Sequence, residues 1–180
     1  MFWSSFGGEV IPADILKQGP AKWDGLPAFL KRNSKGVRRD EILICAKTLR
    51  SNFKRTGAIG FCYGGWGVFH LAGIPRQLKL VDCISAVHPS MLEKREIVMP
   101  RVPVQIMASE IDHMFTDELK GFCNNVIPCL GVSYDYQYFP GLEHGFATRG
   151  NPDNSAERKG MERAKNSAVV WFRLWLHGED

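Results

Sequence analysis

The chain contains no apolar run long enough to span a bilayer, so no membrane segment is expected. No basic segment leads into an apolar stretch near Met1, so no signal peptide is expected either. Its five cysteines (45, 62, 83, 123 and 129) form neither a Cys-x-x-Cys pair nor a zinc-type spacing. An odd count without such patterns argues against a disulfide framework and fits free thiols in a reducing cytoplasm. Charge of neither sign dominates, with 23 lysines and arginines against 19 acids and a net charge of +4. The basic residues gather at Lys31, Arg32, Lys35, Arg38 and Arg39, and again at Arg158, Lys159, Arg163 and Lys165. Both groups are interleaved with acids or fall on helix faces, which predicts solvated surface and no nucleic-acid partner. Internal repeats, low-complexity tracts and interdomain linkers are also missing. What remains is 180 residues, 44% of them apolar, enough for a single globular domain over residues 1–180.

Residues 1 to 23 read as irregular, broken by Gly7, Gly8, Pro12, Gly19 and Pro20. Gly25 to Asn33 is expected to be a short helix capped by Asp24. Val37 to Ser51 is a longer amphipathic one, with Ile42, Ala46 and Leu49 at helical spacing. Strands are expected near 57–61, 80–87, 102–108 and 132–139. Helices are expected near 63–73, 117–127 and 153–177, the last burying Ala164, Ala168, Trp171 or Phe172, and Trp175. Strands alternating with helices predict an α/β fold: a mainly parallel sheet with helices on both faces and a site at the carboxyl ends of the strands.

The most informative stretch is Thr56-Gly57-Ala58-Ile59-Gly60-Phe61-Cys62-Tyr63-Gly64-Gly65-Trp66-Gly67. It reads as a buried strand, a tight turn with Cys62 at its apex, and the start of a helix. The G-x-C-x-G pattern is that of a nucleophile elbow with cysteine in place of serine. A nucleophile on so sharp a turn needs neighbours two residues away that have almost no side chain. The helix N-terminus that follows favours the thiolate.

Two further residues follow strand ends in the order nucleophile, acid, histidine. Asp112 lies in Ala108-Ser109-Glu110-Ile111-Asp112-His113, and His144 in Phe139-Pro140-Gly141-Leu142-Glu143-His144-Gly145-Phe146. A thiol is only slightly ionised at neutral pH and needs a base or a positive field. An imidazole supplies that base, and a carboxylate fixes its tautomer. Glu110 and Asp117 compete for the acid's role, with Asp112 better spaced from its strand. His88 follows the second strand and is expected to line the pocket mouth. His70 reads as a core or boundary residue, and His113 and His177 as exposed.

The segments Gly60-Phe61-Cys62-Tyr63-Gly64-Gly65, Asp112-His113-Met114-Phe115 and His144-Gly145-Phe146-Ala147 together resemble the three signature segments of the dienelactone hydrolase family. These are carboxymethylenebutenolidase-like members of the α/β-hydrolase superfamily. The resemblance runs from about Val37 to the C-terminus. It implies Cys62 as nucleophile, Asp112 as acid and His144 as base, with hydrolysis of a small ester or lactone through a thioester and no metal or organic cofactor. It implies the Tyr63 backbone N–H as an oxyanion donor. His88-Pro89-Ser90 also resembles a segment of eukaryotic, particularly fungal, members.

Two departures qualify what the resemblance implies. Bacterial members carry an arginine soon after the histidine that helps bind a substrate carboxylate. Here Thr148 holds that position and Arg149 follows, so dienelactone itself is a doubtful substrate. The family's first strands, and the loop that supplies a second oxyanion donor and an acidic contact to the nucleophile, have no counterpart before Cys62. Phe2-Trp3 reads as the stub of a lost strand, and the expectation is a chain truncated at its start. The elbow strand would then be a sheet edge, open to an oligomer or a partner strand. Two other readings stay open: a hydrolase-like interaction module, and a thiol-redox protein using Cys62.

Overall fold

In a computed structural model of the chain, the structure describes Gly8, Glu9 and residues 24–178. The expectations for Phe2-Trp3 and for most of the irregular leading segment lie outside the described residues. Two compact units divide at Cys45 and Ala46.

In the first unit, α1 (Leu26–Arg32) has Gly25 at its N-cap, with no side chain capping it. Asp24, the expected cap, falls one residue too early. A proline at the start of α1 needs no backbone donor there. The helix α2 (Lys35–Asn52) begins in this unit and runs into the second. Arg38 joins the two helices, donating from Nε and Nη2 to Asn33 Oδ1 at 3.0 and 2.6 Å. Asn33 Nδ2 in turn donates to the Phe29 carbonyl at 3.0 Å.

The second unit is a four-stranded parallel sheet of β1 (Gly57–Phe61), β2 (Cys83–Val87), β3 (Val104–Ile111) and β4 (Tyr134–Glu143), in that spatial order. Between them lie α3 (Gly64–Ala72), α4 (Lys94–Ile97) and α5 (Asp117–Val126); α6 (Phe146–Arg149) and α7 (Ser155–His177) follow β4. Every residue of β2 is buried, as an inner parallel strand requires. Among the described residues β1 is a sheet edge, with Ile59 and Phe61 partly exposed.

Alternation along β1 separates the two faces. Gly60 turns toward α3, where a Cβ would lie 2.0 Å from the Gly64 carbonyl oxygen. Gly57, Ile59 and Phe61 turn toward α7, and a Cβ on Gly57 would meet the Phe172 ring. Helices thus cover both faces. Beneath the strand ends Val87, Met107, Phe139, Leu142, Phe146 and Ala164 pack as one core cluster.

Strand limits differ from the expected ones for identifiable reasons. Leu80 and Asp82 precede β2 because side chains hold them, with Thr56 Oγ1 donating to the Leu80 carbonyl and Thr56 N–H to Asp82 Oδ2. The strand β4 continues past Phe139 through Pro140 and Gly141 to Glu143, which pairs with Ile111 after a register shift in which Pro140, Gly141 and Leu142 of β4 stand opposite Glu110 alone. Pro140 falls within that register shift on an outer strand, where its missing N–H removes no regular ladder pair.

Candidate active site

The turn after β1 places Cys62 at φ 51°, a conformation few side chains adopt. Its N–H donates to the Val87 carbonyl at 3.2 Å, and its carbonyl accepts from Gly65 N–H at 2.9 Å and Ser90 N–H at 2.8 Å. Gly60, two residues before Cys62, and Gly65, three residues after it, are sterically required. Besides the contact at Gly60, a Cβ on Gly65 would lie 2.4 Å from Pro89 Cβ. The sulfur therefore projects from a turn pinned to β2 on one side and α3 on the other.

His144 follows the end of β4, where its N–H donates to the Ile111 carbonyl at 2.9 Å. This backbone bond sets the imidazole between the other two groups. Nε2 lies 3.1 Å from Cys62 Sγ. Nδ1 lies 2.9 Å from each Asp112 carboxylate oxygen. Asp112 is itself fixed by Ser109 Oγ, donating to Oδ2 at 3.0 Å, and by Met114 and Phe115 N–H, each donating to Oδ1 at 2.9 Å. The competing acids are engaged elsewhere. Glu110 accepts from Gly141 N–H, and Asp117 stands in the first turn of α5 with Lys120.

The protonation states follow from these contacts. Burial alone would push the Cys62 thiol up, but the hydrogen bond and charge of His144, then Ser90 and the Tyr63 N–H, hold it below the ordinary thiol value. Burial alone would lower His144. The hydrogen bond to Asp112, followed by the bond and charge of Cys62, raises it to about 9. Burial opposes ionisation of Asp112 too, yet His144 and the two backbone donors keep it below the usual carboxylate value. All three shifts favour a thiolate–imidazolium–carboxylate line. The other buried thiols go the opposite way: burial raises Cys83 and Cys123 to about 12.

Other expected site residues have distinct places. The Tyr63 N–H is directed to the Cys62 sulfur, while its side chain is buried. Arg149 is exposed at the end of α6, and its guanidinium folds over Gly145. His88 does not line a pocket mouth. It is 0% exposed, with its ring 5.0 Å from that of His144 and 5.6 Å from that of Phe146. The chain bends at φ 36° directly after β2, which swings the ring inward beneath His144. His113 and His177 are exposed. Sequence reasoning assigned no role to the two serines that touch Asp112 and Cys62, Ser109 and Ser90. Ser90 Oγ lies 3.4 Å from Cys62 Sγ. Ser109, three residues before the acid, could have been found from its spacing.

Two cavities of about 730 and 700 Å³ lie against α7 and are lined by none of Cys62, Asp112 and His144. Hydrogen-bond geometry, rather than volume, singles out the site. Cys62 is partly exposed, and the His144 side chain is 17% exposed.

The chain is 30% identical over 136 residues to hydrolase tropI of Talaromyces stipitatus, covering 74% of this chain and 52% of the relative. It is 25% identical over 190 residues to the carboxymethylenebutenolidase homolog of Homo sapiens, covering 93% and 70%. The chain thus spans about half the length of tropI and of a second fungal relative, hydrolase pyvD of Aspergillus violaceofuscus. Among solved structures, a dienelactone hydrolase-like promiscuous phosphotriesterase from metagenomic libraries superposes with a TM-score of 0.61 at 17% identity, over 93% of this chain and 70% of that one. A puromycin-hydrolyzing peptidase of Mycobacterium tuberculosis gives 0.62 at 12% identity, over 76% and 25%. These likenesses show an α/β-hydrolase fold. A model of the dienelactone hydrolase family matches residues 21–176, a span that holds the elbow, the acid and the histidine, and the chain belongs to that family.

Proposed function

We propose that this protein hydrolyses a small carboxylic ester or lactone through a Cys62 thioester. The observation that carries the reading is the continuous line from Sγ to Nε2 at 3.1 Å and from Nδ1 to the Asp112 carboxylate at 2.9 Å. The Cys62 thiolate attacks the carbonyl carbon, forming a C–S bond as the carbonyl oxygen takes up negative charge. The Tyr63 N–H is the donor offered to that oxygen. Collapse breaks the ester C–O bond, and the departing alkoxide takes the proton from His144 Nε2. The imidazole, now neutral, removes a proton from water, which attacks the thioester. The second tetrahedral intermediate expels Sγ as thiolate, leaving a carboxylic acid and restoring the imidazolium. Asp112 stays ionised throughout, holding Nδ1–H and stabilising the cation.

Arg149, exposed at the end of α6, is the cation offered to an anionic group of the substrate. Five free thiols among the described residues support a cytoplasmic setting. Incubation with p-nitrophenyl acetate, followed by acid quench and peptide mass spectrometry, tests the reading. It is supported by p-nitrophenol release with an acetyl group on the Cys62 peptide, and overturned by turnover that leaves Cys62 unmodified and survives Cys62→Ala.

One observation favours a second reading, a strand-pairing interaction module. Among the described residues β1 leaves its outer edge open, with Ile59 and Phe61 41% and 38% exposed. Light scattering during size-exclusion chromatography distinguishes the two. A stable assembly lost on Ile59→Lys, with no ester turnover, favours the module.

A further inference from the structure

The corner that follows β2, His88-Pro89-Ser90, touches the candidate site twice. His88 N–H donates to the Met107 carbonyl at 2.8 Å, and the backbone then bends through positive φ. Pro89 packs on Gly65, where even a methyl group would collide. Ser90 lands against Cys62 as a clamp: its N–H donates to the Cys62 carbonyl at 2.8 Å and its Oγ lies 3.4 Å from Sγ. Ser90 is only 3% exposed, so no water competes freely for that hydroxyl. Non-glycine residues at positive φ carry strain, and here the bend is what brings the hydroxyl to the sulfur.

We propose that Ser90 is a further catalytic residue, whose hydroxyl donates a hydrogen bond to the Cys62 sulfur and stabilises its thiolate. The direction of the bond follows from proton counting. A thiolate has no proton to give. A neutral thiol has one, and His144 Nε2 stands nearer to receive it. In either state the Ser90 proton is the one left to lie between Oγ and Sγ. Ser90 keeps that proton throughout, so it transfers nothing. Its bond weakens when the sulfur is acylated and re-forms as the thiolate leaves the second tetrahedral intermediate. Besides the adjacent Tyr63 N–H, the sulfur thus has two side-chain donors on separate elements, an imidazolium from beyond β4 and a hydroxyl from beyond β2.

The inference rests on the Cys62–His144 pair of the proposed function, and its test reads that pair without any ester. Iodoacetamide alkylation of the full chain is followed at the Cys62 peptide by mass spectrometry from pH 4 to 10. Wild-type Cys62 is expected to react through a midpoint below that of an ordinary thiol. Ser90→Ala should raise the midpoint by about one pH unit or more, since a hydrogen bond to a charged group is worth about tenfold in an equilibrium. Ser90→Thr, which keeps the hydroxyl, should return it toward wild type, and Ser90→Gly serves as a second hydroxyl-free variant should the alanine protein not fold. An unmoved midpoint in a folded hydroxyl-free variant overturns the role of Ser90 alone. A wild-type midpoint of an ordinary thiol overturns both this inference and the ion pair beneath it.

Discussion

His144 Nε2 stands 3.1 Å from Cys62 Sγ, although 82 positions separate the two residues in the chain. The contact exists because β1 and β4, the outer strands of the sheet among the described residues, both end at the same rim, and the extra residues of β4 opposite Glu110 carry that strand on to His144. A base at this distance is within proton-transfer reach of the sulfur. Cys62→Ala should therefore lower p-nitrophenyl acetate hydrolysis by about 1000-fold or more. Cys83→Ala should leave the rate within about twofold while lowering stability by about 1 kcal/mol, because that thiol fills a fully buried place in β2. Equal rate losses in both variants would put the chemistry elsewhere.

Asp112 holds the far side of the imidazole, accepting from Nδ1 through a carboxylate that three other donors already orient. In Asp112→Asn the amide retains the shape but presents an N–H where an acceptor is needed, selecting the wrong tautomer of His144. The rate should fall by about 100- to 10,000-fold. The His144 midpoint, followed by NMR, should drop from about 9 as its largest raising contact is lost. A histidine that still titrates near 9 in this variant would show that Asp112 is not its support.

The rate should follow a bell in pH. Its acid limb belongs to formation of the Cys62 thiolate, held below the usual thiol value, and its alkaline limb to loss of the His144 proton near 9. The two groups interact strongly, so both midpoints belong to the pair. The linked effect on stability has the same sense for His144: its folded value exceeds 6.5, so its contribution is full below 6.5 and is lost as pH rises through about 9. Asp112, held below its usual value, contributes above about 3.8 and loses that contribution as pH falls further. A single sigmoid rising at the pH of a free thiol would exclude the ion pair.

The elbow was legible in the sequence because its chemistry is local. Gly60, Cys62 and Gly64 give the pattern within five residues, and the steric demand of the turn is direct at Gly60; the close approach of Pro89 to Gly65 lay outside that pattern. Asp112 and His144 were legible from their order after strands, and spacing from the strand already ranked Asp112 above Glu110, which the structure engages at the Gly141 N–H. His88 was misplaced because strand periodicity ends at Val87 and says nothing about a positive φ at the next residue. The same bend hid Ser90, whose contact with Cys62 spans 28 positions. The extension of β4 through Pro140 and Gly141 was hidden for the opposite reason: those residues signal a turn wherever an outer strand does not permit them.

Gly65→Ala tests the steric basis of the elbow. The added methyl would lie 2.4 Å from Pro89 Cβ and 2.7 Å from Pro89 Cα, so either α3 or the corner after β2 has to move. The expected cost is about 1–3 kcal/mol or more, read as a lower Tm. Moving that corner would also loosen Ser90 from Cys62, so the folded remainder should hydrolyse esters more slowly. Gly121→Ala, with open space around the added methyl, should keep both Tm and rate close to wild type.

His88 offers the sharpest separation of packing from protonation. Its ring is fully buried edge-on against His144, and neither ring nitrogen has a hydrogen-bond partner among the described residues. Burial, then the charge of His144, depresses it to about 3. Between about pH 3 and pH 9 it is therefore neutral while His144 is charged, and over that range no second cation sits beneath the imidazolium. Because the unfolded chain binds this proton near 6.5 and the folded one only near 3, stability contributed by His88 is present above 6.5 and falls as pH drops toward 3. His88→Phe replaces an unpaired polar ring by an apolar one of similar shape and should be neutral or stabilising, with a smaller loss of stability between pH 6.5 and 4. His88→Ala removes the support under His144 and should cost about 2–4 kcal/mol. Chemical denaturation of the three proteins at pH 7 and pH 4.5 reads both effects. If the phenylalanine variant loses as much stability as the alanine one, the imidazole nitrogens are making bonds that matter, and the account of a neutral packing ring is wrong.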